Sequence, residues 1–323
     1  MPNPFEGRGA WLRCALHAHT TNSDGELAPA VLVKHYERAG FDVLAITDHH
    51  VRTDEQSSES LLVLPATELD ARVVGSGRYA HVLVLGAQTD PPPRGAEVLD
   101  LSQAVRWASE NGGVAFLAHP YWSGLRTADV VACDGLAGVE VYNAGCELEV
   151  GQGLATVHWD EALEAGRRWH AIAADDSHHP GFDSGHAWTW VRAAERSPAA
   201  VLASLRDGSF YSSTGPVIEE LRLDGETVEV SCSPARRITL VAGPGRGASV
   251  GSGRLGYVHR ADILAEDARG ITSARLAIPS GAPYARLEVH GENGGTAWTN
   301  RLAGGPRPAA PGGAATTAGA VGV

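Results

Sequence analysis

The chain has 323 residues, and 43% of them are hydrophobic, which suffices for one large domain or for two domains with a sizeable core. Its formal net charge of −12, from 38 acidic and 26 basic residues, argues against a surface that binds nucleic acid by neutralising phosphates. No run of about 18 apolar residues is present, so we expect no membrane-spanning segment.

The cysteines indicate a reducing compartment. They are widely scattered and form no Cys-x-x-Cys pair, which argues against a zinc knuckle and against a dense disulfide framework. They are Cys14, Cys133, Cys146 and Cys232. Because the first residues also lack an apolar stretch of signal-peptide length, we expect a soluble cytoplasmic protein.

The first apolar run, residues 11–16, leads into His17-Ala18-His19, and Asp24 follows five residues later. Residues i and i+2 of an extended strand point to the same side, so the two imidazoles can hold one ion. The turn that follows can bring Asp24 towards a neighbouring ion. Since a single His-x-His pair often occurs by chance, satisfied or exposed histidines are the alternative interpretation.

Beyond this pair, short apolar runs alternate with helical patterns as far as about residue 192, which is typical of a parallel α/β sheet or barrel. We expect the third run to end at Pro65. The strand-like runs are residues 11–16, 42–46, 61–64, 81–86, 114–118, 138–143 and 170–174, and the helical patterns are residues 29–39, 100–111, 160–165 and 197–207.

Residues that bind metals recur at the ends of the apolar runs, where the loops after barrel strands build active sites. A mixed set of histidines and carboxylates suits Zn²⁺, Mn²⁺ or Fe²⁺. The nine candidate ligands, enough for two or three ions, are His17, His19, Asp24, His49, Glu68, His81, His119, Asp176 and His178.

The pattern changes near residue 219 to short strands separated by turn residues, which predicts a small β-sandwich. The predicted strands are residues 221–223, 228–232, 238–241, 257–263, 274–278 and 285–289. The last twenty residues are almost all Gly, Pro, Ala and Thr, and we expect them to be disordered because they offer little apolar surface to bury. We therefore predict an α/β domain over residues 1–218, a β-sandwich-like domain over residues 219–303 and a disordered tail over residues 304–323.

Four motifs that follow one another along the chain resemble, in type and order, those of the polymerase and histidinol phosphatase (PHP) metallohydrolases. The resemblance covers residues 11–215 and implies a distorted (β/α)₇ barrel with a di- or trinuclear centre of divalent ions. The motifs are His17-Ala18-His19 with Ser23-Asp24-Gly25, Thr47-Asp48-His49, Ala118-His119-Pro120 and Asp176-Ser177-His178.

The resemblance also implies how the ligands divide among three ions. Glu68 would bridge the first ion and the second, and a hydroxide between those two ions would attack a phosphorus or carbonyl centre. The catalytic candidates are Asp176, His49 and His178, with a histidine near the third ion as proton donor to the leaving group. The first ion takes His17, His19, Glu68 and Asp176, the second takes Glu68, His81 and His119, and the third takes Asp24, His49 and His178.

Three functions stay open. Phosphoester hydrolysis leads, because most of the PHP family acts on phosphoesters. Residues 159–163, 175–178 and 210–216 resemble the carbaryl hydrolase-like branch, which favours ester, amide or carbamate hydrolysis of a small molecule instead. A non-catalytic metal-binding module is the third, but a structural site needs only about four ligands.

Eight further side chains in loops or after strands are candidates for contacts with the substrate. Guanidinium groups pair with phosphate through two hydrogen bonds, while the aromatic residues have core packing as their alternative. The candidates are Arg52, Arg78 and Arg126 as phosphate clamps, and Tyr121, Trp122, Tyr142, Asn143 and His179 as pocket lining.

Overall fold

The structure is a computed structural model that describes residues 3–95, 98–251 and 261–303. The tail that the sequence predicts to be disordered, residues 304–323, lies outside the described residues. So does the first part of the predicted strand over residues 257–263. The division at residue 219 stays a prediction.

Side-chain caps begin some of the helices. Asp100 and Gln103 form a reciprocal capping box at the start of α2, and Ser197 accepts a backbone hydrogen bond at the start of α7, which ends at Gly208. No helix in the described ranges is long and apolar enough to cross a membrane. The helices of these ranges are α1 (Pro29–Arg38), α2 (Leu101–Glu110), α3 (Thr127–Val130), α4 (Ala144–Val150), α5 (Thr156–Glu164), α6 (Pro180–Asp183) and α7 (Pro198–Asp207).

The strands join into one mixed sheet. Its hydrogen-bonded order is β13-β14-β11-β15-β16-β9-β8-β1-β2-β3-β4-β5-β6-β7, and β10 and β12 both pair with β11. The strands are β1 (Ala10–Ala15), β2 (Val43–Ile46), β3 (Leu62–Arg72), β4 (Tyr79–Leu85), β5 (Val114–Leu117), β6 (Gly138–Asn143), β7 (His170–Ala174), β8 (Trp188–Ala193), β9 (Phe210–Ser213), β10 (Ile218–Asp224), β11 (Thr227–Val241), β12 (Gly247–Gly251), β13 (Ala261–Asp267), β14 (Gly270–Ala277), β15 (Arg286–Gly291) and β16 (Thr296–Thr299).

The prediction of an all-parallel arrangement is wrong for the middle of the first seven strands. The β1–β2–β3 and β5–β6–β7 pairings are parallel, but β4 is antiparallel to both β3 and β5. Residues 73–78, which link β3 to β4, are too few for the crossover that parallel strands require. The expected break at Pro65 is also absent, because Pro65 lies opposite Ile46, the last residue of β2, where a missing N–H costs little.

The first seven strands are curled. Leu12 of β1, Leu64 of β3, Phe116 of β5 and Ile172 of β7 belong to one buried apolar cluster, although their strands are distant in the sheet order. At the carboxyl ends, a parallel bridge joins the segments that follow β1 and β7. The edge where the predicted ligands lie is therefore gathered into a small volume.

The C-terminal strands β10–β16 form antiparallel pairs, as their turn-rich sequence predicts. Two predicted strands, residues 228–232 and 238–241, are parts of the single long strand β11. Pairing of β16 with β9 makes this region continuous with the rest of the sheet.

A buried arginine fastens the C-terminal strands to helix α5. Arg286 of β15 is 1% exposed and donates to both carboxylate oxygens of Asp160, at 2.6 and 2.7 Å, and to Glu288 at 2.6 Å. Its guanidinium carbon lies 4.7 Å from the centre of the Trp159 ring. The two acidic partners raise the pKa of Arg286 although burial lowers it, so the group is charged.

We expect Arg286→Met to lower the free energy of unfolding by about 3 kcal/mol, because it leaves two carboxylates without their buried partner. Denaturant unfolding followed by circular dichroism measures the change. The control is Arg275→Met, which removes an exposed ion pair with Glu229 and should cost no more than about 1 kcal/mol. Equal losses in the two variants would contradict a special role for the buried pair.

Candidate metal centre

All nine predicted ligands lie together at the carboxyl-end edge of the curled strands, around a cavity of about 430 Å³. His17 and His19 are fully buried beneath it. The other seven line its wall: Asp24, His49, Glu68, His81, His119, Asp176 and His178.

Glu68 occupies the middle of the cluster and is 1% exposed. It lies within β3 rather than after a strand. His81 reaches it because β4 runs antiparallel, which places the beginning of β4 at the same edge as the ends of the parallel strands. Five ring nitrogens surround the carboxylate, at 3.1 Å (His17 Nε2), 3.3 Å (His19 Nε2), 3.4 Å (His49 Nδ1), 2.9 Å (His81 Nδ1) and 3.3 Å (His119 Nε2).

The first ligand set expected from the resemblance is present as one compact group. The Asp176 Oδ1 atom lies 3.0 Å from His17 Nε2 and 3.1 Å from His19 Nε2. The ligand atoms of His17, His19, Glu68 and Asp176 all lie within 4.8 Å of one another. Such a set of two imidazoles and two carboxylates suits a divalent ion.

The other two groupings differ in one member each from the expected sets. Asp24 lies 3.5 Å from His49 and from His178, as expected, but His19 Nδ1 is also 3.5 Å from it. The remaining compact group joins His49 with Glu68 and His81.

The hydrogen bonds of His17 show that the pocket fits a cation. His17 Nδ1 donates to Glu140 Oε1 at 2.7 Å, so the neutral ring carries its lone pair on Nε2. That lone pair faces the carboxylates of Glu68 and Asp176, whose oxygens can only accept hydrogen bonds. In the described part of the chain, the buried Nδ1 atom of His49 also lacks any hydrogen-bond partner. Divalent ions held by the separate groups that contain His17 and His49 would satisfy these atoms.

Without an ion, a proton takes that place. Burial disfavours the charged form of His17, but Asp176, Glu68 and Glu140 raise its pKa well above the usual value. Burial likewise opposes the charge on His19, and hydrogen bonds to Asp176 and Glu68 raise its pKa to about 9.

His49 behaves in the opposite way. Burial lowers the pKa of His49 to about 4, and the neighbouring charges of His19 and His81 act in the same direction, whereas Glu68 and Asp24 oppose them. A neutral imidazole is the form that binds a metal ion. His49 is therefore ready to bind without first losing a proton.

Glu140, which the sequence analysis missed, supports the centre from below. It is fully buried on β6 and accepts the His119 N–H at 2.8 Å as well as the proton of His17 Nδ1. Asn143, predicted to line the substrate pocket, is instead buried beneath the centre and donates to Glu140 at 2.9 Å and to Asp176 at 3.1 Å. The sequence did contain one signal for Glu140, because it is a lone carboxylate inside the apolar run that forms β6.

A second buried carboxylate fixes the turn that carries Asp24. Asp48 accepts the Thr20 N–H and the Ser23 hydroxyl proton, both at 2.7 Å. A Cβ atom on Gly25 would lie 2.3 Å from a backbone oxygen, so this tight turn requires glycine. The turn holds Asp24 over the histidines although its carboxylate is 45% exposed.

Backbone strain marks the same edge. His50, His119 and Asp176 are the non-glycine residues with positive φ in the described part of the chain, at 53°, 21° and 54°. Residues other than glycine rarely adopt this conformation, and it persists only where the surroundings impose it. Two of the three are predicted ligands.

Among the predicted substrate contacts, Trp122 and His179 line the cavity. The Trp122 ring lies edge-on to His119, with ring centres 5.1 Å apart. Five others are described but do not line it: Arg52, Arg78, Tyr121, Arg126 and Tyr142.

Other contacts account for some of these residues. Arg52 forms ion pairs with Asp54 and Asp90, and Tyr142 stacks on Trp298 of the C-terminal strands with ring centres 6.0 Å apart. Tyr121, Arg78 and Arg126 are exposed on loops outside the cavity.

Arg94, which the sequence analysis missed, is the arginine that lines the cavity. Its Nε–H donates to Asp70 at 3.1 Å. Burial disfavours the charge on Asp70, yet hydrogen bonding to His50 and the charges of His81 and Arg94 lower its pKa to about 2. The ionised carboxylate thus holds a guanidinium at the cavity wall.

Comparison with solved structures identifies a shared fold. A two-domain protein from Bacteroides vulgatus, described as containing a predicted PHP-like metal-dependent phosphoesterase, matches 91% of this chain and 96% of its own with a TM-score of 0.50 and 18% identity. The two chains share a fold. At 18% identity, the match shows the fold alone.

Two shorter matches cover about half of this chain. One is a protein from Bifidobacterium adolescentis described as a putative metal-dependent phosphoesterase (17% identity, TM-score 0.40, 53% of this chain and 90% of that one). The other is an amidohydrolase from Chromobacterium violaceum with bound sulfate and no metal (18% identity, TM-score 0.38, 54% and 90%). No family model and no curated protein sequence matches the chain.

We expect His17→Ala to lose most of the bound metal and Asp24→Ala to retain part of it. His17 is fully buried among two carboxylates, whereas Asp24 is half-exposed and 3.5 Å from its neighbours. Elemental analysis of both purified variants measures the metal per chain, with circular dichroism to check that each is folded. Equal loss in the two would contradict the division into separate ion sites.

We also expect the affinity for Zn²⁺ to rise with pH between about pH 6 and pH 9. The pKa values of His17 and His19 are raised in the metal-free centre, so below them a metal ion must displace protons in order to bind. Competition with a chromophoric chelator, corrected for the chelator's own protonation, measures the affinity. An affinity that does not change with pH would contradict the raised pKa values.

Proposed function

We propose that this protein is a metal-dependent hydrolase of a small molecule, with phosphoester hydrolysis as its leading reaction. The observation that carries this proposal is the convergence of nine ligand side chains around Glu68 in the floor and wall of an open cavity. A purely structural metal site needs about four ligands and no cavity. A non-catalytic metal-binding module would therefore not account for most of these side chains.

The ligand chemistry supports two or three divalent ions of Zn, Mn or Fe. His17, His19, Glu68 and Asp176 would hold one, and Glu68 would be shared with a second. When bound, such ions lower the pKa of a coordinated water and stabilise negative charge on the reacting group. A third ion would lie among Asp24, His49 and His178.

When two ions are bound and Nε2 of His178 holds no metal, His178 is the residue best placed to give a proton to the leaving group. It lines the cavity and its side chain is 31% exposed, while its Nδ1–H donates to the Asp176 carbonyl oxygen at 3.0 Å. That bond orients the ring with Nε2 near the cavity, 3.5 Å from Asp24. His49 and Asp176 complete the proposed catalytic set as residues that hold the reacting groups in place.

Arg94 favours a phosphoester over a carboxyl substrate. It is the arginine of the cavity wall in the described part of the chain, and a guanidinium pairs with phosphate through two hydrogen bonds. The description of the two-domain neighbour as a metal-dependent phosphoesterase agrees with this choice.

Hydrolysis of an ester, amide or carbamate is the second candidate, and the rim of the cavity favours it. Trp122 and Phe182 line the cavity and are 42% and 64% exposed, so the rim offers apolar surface to an aryl or alkyl group. An uncharged substrate would use this surface rather than Arg94.

The proposal also covers the fold family of the chain and its branch within that family. We infer a distorted (β/α)₇ barrel of the PHP type, supported by the bridge between Ala18 and Ser177, and a place in the carbaryl hydrolase-like branch. We further infer action in the cytoplasm on a small molecule rather than on nucleic acid, supported by the net charge of −12.

The test is a panel of aryl phosphates, aryl esters and aryl carbamates, assayed with purified protein before and after chelation. We expect aryl phosphate hydrolysis that chelation abolishes and Zn²⁺ or Mn²⁺ restores. Arg94→Gln should raise KM for the phosphate roughly tenfold, whereas the control Arg52→Gln, outside the cavity, should not.

Two outcomes contradict the proposal at different levels. Activity that is unchanged after complete chelation would overturn the metal-dependent mechanism. Turnover of carboxyl substrates alone would overturn the phosphoester reaction and leave the second candidate.

A further inference from the structure

A second cavity lies at the opposite ends of the strands from the metal centre. Its volume is about 470 Å³, which is within the range of small-molecule sites. His170, at its wall, begins β7, and Asp176 of the metal centre follows the end of the same strand, roughly 20 Å away for six extended residues. The lining residues come from the loops before β6 and β7 and from the end of α7.

Arginines dominate the charge of this cavity. Arg167, Arg168 and Arg206 line it, together with a single acidic residue, Asp207. Arg167 pairs with Asp134. Within the described ranges, no carboxylate lies within ion-pair distance of Arg168 or Arg206, although the protein as a whole has an excess of acidic residues.

The neighbouring groups indicate that this positive charge is not compensated locally. Burial and the nearby charge of Arg168 both lower the pKa of Arg301, so these two guanidiniums repel each other. Arg301 lines a neighbouring cavity rather than this one, and it adds positive charge to the surroundings.

His170 supplies a buried polar group at the same place. It is 4% exposed, and its Nδ1 atom has no hydrogen-bond partner in the described part of the chain. A buried nitrogen without a partner is uncommon in folded proteins, and it is satisfied when a ligand or a proton is supplied. Burial lowers the pKa of His170 to about 4 and the charge of Arg301 adds to this effect, whereas a backbone group of Arg206 and the charge of Asp207 oppose it.

We propose that this cavity binds a phosphate-class anion through the guanidinium groups of Arg168 and Arg206. Guanidinium groups match the geometry of phosphate oxygens, and these two have donors that carboxylates do not occupy. The volume exceeds what a bare ion fills, so the fitting ligand is an organic phosphate monoester. This site is separate from the metal centre and does not depend on the proposed hydrolase activity.

The test is calorimetric titration of the full-length protein, as purified, with inorganic phosphate and separately with glycerol phosphate and adenosine monophosphate. We expect saturable binding that the double variant Arg168→Gln/Arg206→Gln weakens roughly tenfold or more. Both arginines are exposed, so the fold should tolerate their replacement. Tighter binding of the monoesters identifies an organic phosphate as the ligand, and equal binding identifies free phosphate.

The matched control is Arg222→Gln/Arg269→Gln, which removes the same charge from exposed positions of the C-terminal strands. It should bind phosphate as the unmodified protein does. Binding that persists unchanged in Arg168→Gln/Arg206→Gln belongs to the metal centre and overturns the proposal. Equal weakening in both double variants also overturns it, because only net charge would then matter.

Discussion

The structure depends on a concentration of buried charge that no arrangement of protons alone satisfies well. Glu68 and Asp176 are almost inaccessible to solvent, and imidazole nitrogens rather than arginines or lysines face them. Burying two ionised carboxylates this close is costly unless cations compensate them. The curled strands and the bridge between the segments after β1 and β7 hold this cluster together. Packing of the whole α/β part therefore offsets the free energy that is lost by burying these charges.

The groups behind the ligands make this arrangement specific. Glu140 fixes the protonated nitrogen of His17 and, through Asn143, ties the position of Asp176 to the same carboxylate. Asp48 performs the corresponding task for the turn that carries Asp24. Partners of this kind orient the ligands and set which ring nitrogen is available. The ligands therefore point at a common space before any ion arrives.

Local patterns in the sequence predicted the parts of the centre that depend on one strand and its following turn, such as His17 with His19. Glu68 and His81 were selected as ligands because they were expected beside the ends of parallel strands. That reason was wrong, since β3 continues past Pro65 and β4 runs antiparallel. The roles of Glu140 and Arg94 were not predicted, although a lone carboxylate within an apolar run was a signal for Glu140. Each depends on a contact with a residue far away in the chain, which periodicity and spacing do not encode.

The two ends of β7 differ in the charge of the groups that surround them. Asp176, two residues after its end, faces the imidazoles of His19 and His119, whereas His170 at its start shares a cavity wall with Arg167, Arg168 and Arg206. Burial penalises a charged His170 just as it penalises a charged carboxylate, and the charge of Arg301 adds to the penalty, so the pKa of His170 is lowered to about 4. A cation at one end and an anion at the other would each relieve a local excess of charge without altering the fold between them.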